Sequence, residues 1–142
     1  MKRKVFVSVT GVDPAGSHSV SGGAGTEEVL PDGTHVIRFR EEMEGAAAPL
    51  TTAVTLTENA LVLTREGELT CRLTFEAGRE VEGLYRMPFG AVLLKTYTRH
   101  LRVRFSERET FAALSYDLRF ADGTAEEGCR VSVRASVLHE GR

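Results

Sequence analysis

Apolar residues in this chain recur at every second position, segment after segment, and turn signals divide the segments about every ten residues. The stretch KVFVSV places Val5, Val7 and Val9 on one side. HVIRFREEM places Ile37, Phe39 and Met43 on one side, with Val36, Arg38 and Arg40 opposite. A period of two is the signature of a β-strand with one buried face, because successive side chains point to opposite sides of the pleat. Helical periodicity is hard to find: the compact alanine run EGAAAPL is cut by Gly45 and Pro49. The region from Thr52 to Tyr85 reads as four short strands joined at Glu58-Asn59, Glu66-Gly67 and Ala77-Gly78. Further on, Leu114, Tyr116, Leu118 and Phe120 share a face, Asp122-Gly123 closes a hairpin, and Val131, Val133, Ala135 and Val137 share another. Nearly every connection suits an antiparallel neighbour, which points to an up-and-down antiparallel β-barrel. The Gly/Ser-rich stretch 13–26 precedes no helix and lacks a phosphate-loop lysine, so it reads as a flexible loop or a bulged edge strand.

Residues 1–142 suffice for a single domain with its own core. The chain is 42% hydrophobic and 27% charged, and no apolar run approaches the length of a spanning helix, so no membrane association and a cytoplasmic location are expected. Cys71 and Cys129 lack a CxxC context, and His18, His35, His100 and His139 form no pair at metal spacing. Reduced buried thiols, no metal and no cofactor are the expectation. Residues 1–84 carry 8 Lys/Arg against 13 Asp/Glu, a balance of −5, while residues 85–142 carry 10 against 7, a balance of +3. Arg102 with Arg104, and Arg130 with Arg134, fall on common faces of the basic half. The overall acidity and the placement of most aromatics on apolar faces disfavour nucleic acid as a partner. No nucleophile elbow, Cys-His signature or paired carboxylates on one strand face are present, so no catalytic residue is assigned and the chain is not expected to be an enzyme.

The stretch YRMPFGAVLLKTYTRHLRVRF, residues 85–105, poses a puzzle: Lys95 and Arg99 are in step with Leu93, Tyr97, Leu101, Val103 and Phe105. Pro88 and Gly90 mark a corner leading into a long strand. A bulge near Thr96 would flip the register and send both cations outward; otherwise they point inward and need partners, since a lone interior cation costs several kcal/mol or more. Glu41 lies in phase with Ile37 and Phe39, Arg65 with Leu61 and Leu63, and Tyr116 with Leu114 and Leu118. Glu41, Arg65, Lys95, Arg99, Tyr97 and Tyr116 are therefore the candidate ligand-binding residues. Their convergence would serve as a self-satisfied polar plug, as a solvent-facing rim, or as an anchor for the head of a ligand. Asp117 alternates with Tyr116 and is expected to face solvent.

The ordered motifs REEMEG, the Thr-rich strand before Arg65-Glu66-Gly67, LTFEAG, YRMPFGAVLLKTYTRHLRV and LSYDLRFADG closely resemble the YwiB-like family of small bacterial proteins over roughly residues 4–137. That resemblance implies a calycin-like barrel, the class of lipocalins and fatty-acid-binding proteins, here with about eight to ten strands. By analogy of fold it implies a non-enzymatic protein holding a small apolar or amphipathic ligand, with a carboxylate or phosphate head if the arginines anchor it. The rival is a packed barrel whose outer face, the basic carboxyl-terminal strands foremost, meets protein, a second copy as a homodimer, or RNA. Phe39, Phe75, Tyr97, Phe105, Tyr116 and Phe120 are expected to fill the interior, and Ala53, Gly83 and Ala135 to leave room in it.

Overall fold

The computed structural model describes residues 1–42 and 47–138. Its strands are β1 (Lys2–Val12), β2 (His18–Val29), β3 (His35–Glu41), β4 (Leu50–Leu56) and β5 (Ala60–Glu66), followed by β6 (Thr70–Glu76), β7 (Glu80–Met87), β8 (Gly90–Phe105), β9 (Glu109–Phe120) and β10 (Ala125–Val137). Each pairs antiparallel with its sequence neighbours, and β1 pairs with β10, so the ten strands close into an up-and-down barrel. Among the described residues there is no helix, and hence none long and apolar enough to cross a membrane.

The alternation in the sequence becomes the two sides of the wall. Val5, Val7, Ile37, Phe39, Val54, Leu56, Leu61, Phe75, Ala112, Leu114, Val133 and Ala135 are buried in a single apolar cluster inside. Met43 lies outside the described residues. The turns fall at residues 57–59, 67–69 and 77–79, and Met87 pairs directly with Gly90, so Pro88 and Phe89 form a tight hairpin tip with Phe89 fully in solvent.

The Gly/Ser stretch forms a turn at residues 13–17 followed by the first part of β2, which pairs with β1 along its length but with β3 only from Gly25 onward, apart from an isolated bridge from Gly22 to Glu42. Its glycines are there because the strands run very close. A Cβ on Gly23 or Gly25 would stand 2.1 Å from the carbonyl oxygens of Arg40 and Arg38.

The puzzle of Lys95 and Arg99 is solved by a bulge, at Arg99 rather than at Thr96. Pairing of β8 with β9 slips between Thr98 and His100. Before it Leu94, Thr96 and Thr98 face inward, and after it Leu101 and Val103 do. The extra residue converts an apparent conflict of phase into two consistent segments. A second bulge, in β10 between Glu126 and Cys129, lies across β9 from the first. Gly128 occupies it with φ +81°, a conformation that a side chain resists.

One residue joins both. Asp117 on β9 points outward, as its phase dictates, yet it is only 1% exposed, a correction to its expected solvation. Arg99 covers it with Nε at 3.1 Å and Nη2 at 2.8 Å from Oδ2, and the Gly128 amide donates to Oδ1 at 3.0 Å. The bonds from Arg99, aided by that of Gly128, hold the Asp117 carboxyl below its ordinary range against the opposing effect of burial. Replacing Asp117 with Ala is expected to lower the melting temperature by roughly 3–8 °C, with Asp117→Asn intermediate because it keeps an acceptor for Gly128. Thermal unfolding followed by circular dichroism checks this, and an unchanged midpoint in the alanine variant would refute the role assigned to Asp117.

Candidate functional site

Glu41 closes β3 and Arg65 lies near the end of β5, so both reach the same end of the barrel from the inner face. Glu41 is fully buried. Arg65 grips it bidentately, Nε to Oε1 at 2.8 Å and Nη2 to Oε2 at 3.0 Å. Thr52 donates to Oε1 at 2.9 Å and Ser21 donates to Oε2. Burial opposes ionisation of Glu41, but the hydrogen bonds and charge of Arg65, with those two hydroxyls, outweigh it and hold the carboxyl below its ordinary value. Arg65 Nη1 stands outside this pair.

Below the ion pair lies a cavity of ≈ 460 Å³. Leu61, Leu63, Leu73, Phe75, Val131 and Val133 form its apolar wall, and Arg65, His18, Ser19, Ser21 and Tyr116 supply its polar side chains. The ring of Tyr116 meets Phe75 edge-on at 4.9 Å. Burial pushes the Tyr116 phenol up to about 12, so it stays protonated and offers an O–H donor. The small residues Gly11, Ser19 and Ser21 of β1 and β2 open the room.

Residues 24–130 match the family model described as Domain of unknown function (DUF1934). The chain belongs to this family. Its fold matches the crystal structure of the ywiB protein from Bacillus subtilis at a TM-score of 0.80 and 18% identity, covering 97% of this chain and 94% of that one. The resemblance read from the motifs is thereby upheld. No curated protein matches the chain.

Of the six candidate residues, this DUF1934 barrel brings Glu41, Arg65 and Tyr116 together at one end of its interior. Lys95, Arg99 and Tyr97 are corrections to that grouping: they precede or occupy the bulge, so the β8 register turns them outward. Lys95 Nζ lies 3.9 Å from Glu80, and Arg99 binds Asp117 at 2.8 Å. Tyr97 is half-buried on the outer face, between its strand partners Glu80 and Asp117. Phe39, Phe75, Tyr116 and Phe120 do pack with the interior cluster, whereas Phe105 leaves it to stack on His35 at a 3.8 Å centroid distance. Gly83 and Ala135 are buried, as expected, while Ala53 falls on the outer side of β4.

A second buried carboxylate went unnoticed in the sequence. Glu27 is fully buried toward the opposite end of the barrel; it pairs with Ile37, about 13 Å along β3 from Glu41. Arg3 Nε donates to it at 2.9 Å, His35 Nδ1 stands 2.7 Å away, and Thr110 donates to Oε2. Arg3 also reaches the carbonyl oxygen of Glu107 at 2.8 Å, tying β1 to the β8–β9 turn. Burial opposes the charge of Glu27, but the bonds from Thr110, His35 and Arg3 leave its carboxyl below the ordinary value. Its signal was masked because Glu27 sits in the glycine-diluted β2, where alternation gives no phase.

Both carboxyls are held below 4.5 in the folded barrel. The unfolded chain therefore takes up protons first as pH falls, and stability that is complete above about pH 4.5 is lost as pH drops through the depressed folded values. Urea unfolding across pH 7 to 3 is expected to show this loss. In Glu41→Gln the slope becomes shallower, while stability at pH 7 drops by about 3–5 kcal/mol because Arg65 is left buried without its partner. A wild-type slope in that variant would contradict the assignment.

Burial raises both thiols, with Glu126 adding to the effect at Cys129, which is pushed up to about 11. Cys71 and Cys129 are free and buried. Native protein is expected to react with a thiol reagent at least tenfold more slowly than denatured protein, tenfold per about 1.4 kcal/mol of opening; fast labelling of either cysteine in the native state would argue against this burial.

Proposed function

We propose that this barrel is a cytoplasmic, non-enzymatic protein that binds one small, partly apolar molecule in the cavity beneath the Glu41–Arg65 pair. The observation that supports this most is the ≈ 460 Å³ cavity itself, with an apolar wall and a few convergent polar groups. That size and composition fall within the usual range of small-ligand sites. The likeness to calycin-type barrels, which carry ligands inside, agrees with it as an analogy of fold.

The chemistry narrows the head group. Arg65 and Glu41 neutralise one another, and Lys95 and Arg99 face outward, so among the described residues the cavity wall presents no unmatched guanidinium or ammonium group to offset a phosphate. The Arg65 guanidinium and the Tyr116 hydroxyl line the cavity and are donors, suited to a carbonyl or a single carboxyl oxygen. The apolar remainder would lie along Leu61, Leu63 and Val133.

Native mass spectrometry of freshly purified protein, followed by denaturing extraction, tests the reading. A reproducible added mass is expected in wild type. It should vanish in Leu63→Trp, where the indole fills the cavity, and fall in Tyr116→Phe. Arg65→Ala is expected to weaken binding too, although it also strands Glu41. An added mass that persists in the filled variant, or a wild-type barrel that holds nothing under any extraction, would sink the proposal.

A further inference from the structure

The two bulges organise the outside of the barrel as well as the inside. Beyond them, β8 directs His100, Arg102 and Arg104 outward, β10 directs Arg130, Ser132 and Arg134 outward, and β9 runs between with Ser115, Ala113 and Phe111. The register aligns these rows: Arg102 pairs with Ala113 and Ala113 with Ser132, while Arg104 pairs with Phe111 and Phe111 with Arg134. The result is an open groove of ≈ 700 Å³ over β8, β9 and β10, bordered by His18, His100, Arg102 and Arg130. Its floor is low because Ala113 and Ser115 are small.

Three features mark this groove as built for a polyanion. Among the described residues, Arg102, Arg104 and Arg130 enter no ion pair; Arg40, Arg72, Arg86 and Arg108 are likewise unmatched elsewhere on the exterior, but here three such cations share one outer face across β8, β9 and β10. Only Glu109 intrudes, 3.6 Å from Arg134. Next, Arg104 and Arg134 stand over the Phe111 ring at 5.3 and 5.1 Å, which holds both guanidinium groups in place before any ligand arrives. Finally, the Ser115 hydroxyl at the floor is buried without a partner.

We propose that this groove binds a single-stranded polynucleotide through its phosphates. The walls on β8 and β10 are two strand spacings apart, about 9.6 Å, which admits one phosphodiester chain and excludes a duplex. The basic residues repeat along each wall at about 6.8 Å or twice that, so the site is a track rather than a point. The objection raised from the sequence, that aromatics sit on core faces, is met by Phe6: it is 51% exposed on β1, one diagonal step from Arg134, and presents a ring on which a base can stack. This site is separate from the interior cavity and does not depend on it.

Fluorescence anisotropy of labelled oligo-U and oligo-dT of about twelve nucleotides provides the test. Wild type is expected to bind both, with affinity falling about 20- to 50-fold between about 50 and 200 mM salt, as three to four phosphate contacts require. The double variant Arg102→Glu/Arg130→Glu should lose at least about tenfold, and Phe6→Ala about fivefold or more. Arg72→Glu/Arg86→Glu makes the same change of charge on β6 and β7 and should lose less than about threefold. Equal losses in the two double variants would reduce the effect to net charge and overturn the proposal. So would absence of binding at low salt, equal affinity for inorganic polyphosphate, or a wild-type dimer that the groove variants split without any effect on oligonucleotide.

Discussion

The side chain of Asp117 sits between two irregularities in the barrel wall and holds both. On one side it takes the guanidinium of Arg99 from the bulge in β8; on the other it takes the amide of Gly128 from the bulge in β10. Each bulge shifts the inward face of its strand by one residue, so the facing of everything beyond it follows from that position. Inside, this brings Leu101, Val103, Val131 and Val133 into the apolar cluster. Outside, it aligns Arg102, Arg104, Arg130 and Arg134 over β9. A single buried carboxylate thus couples the filling of the core to the charge pattern of the surface.

The interior is organised by two further carboxylates at opposite ends. Glu41 with Arg65, Ser21 and Thr52 closes one end, and Glu27 with Arg3, His35 and Thr110 closes the other. Each is fully buried and each is satisfied by several donors, which is the condition under which a buried charge is tolerated. Most partners sit on the strands next to each carboxylate, but Arg65 brings β5 to Glu41 on β3 and Thr110 brings β9 to Glu27 on β2, so each cluster also ties in a strand that shares no hairpin with its carboxylate. Between these polar ends the barrel is mainly apolar, with Thr96 and Thr98 the buried polar residues of β8. It is filled toward the Glu27 end and open toward the Glu41 end, where Gly11, Ser19 and Ser21 replace larger inward residues. Arg65 therefore has two neighbours of different kind, a carboxylate that fixes it and a cavity that it lines.

The agreement with the ywiB barrel at 18% identity shows how little of this fold depends on particular side chains. What two such chains must share is the order of strands, the alternation and the turns, because these set the closure of the wall. The volume and polarity of the cavity, by contrast, depend on individual inward residues, and so does the charge of the groove on outward ones. Function on such a scaffold resides in those choices rather than in the barrel itself.

Much of the architecture was legible in the sequence. Period-two alternation, the turns at Glu66-Gly67, Ala77-Gly78 and Asp122-Gly123, and the short connections led to an all-β up-and-down barrel, because these signals are local and act through backbone geometry. The inward facing of Glu41, Arg65 and Tyr116 was also legible, since each lies in an unbroken alternating segment. Tyr97, Lys95 and Arg99 were not, because a bulge is invisible to periodicity until the partner strand fixes where the slip occurs. Nor was Glu27, whose strand is diluted by glycines that only close strand packing explains. Local pattern determined that this chain becomes a closed β wall. The pairing of distant strands alone decided which side of that wall its charges face, since facing depends on register and register is a property of two strands at once.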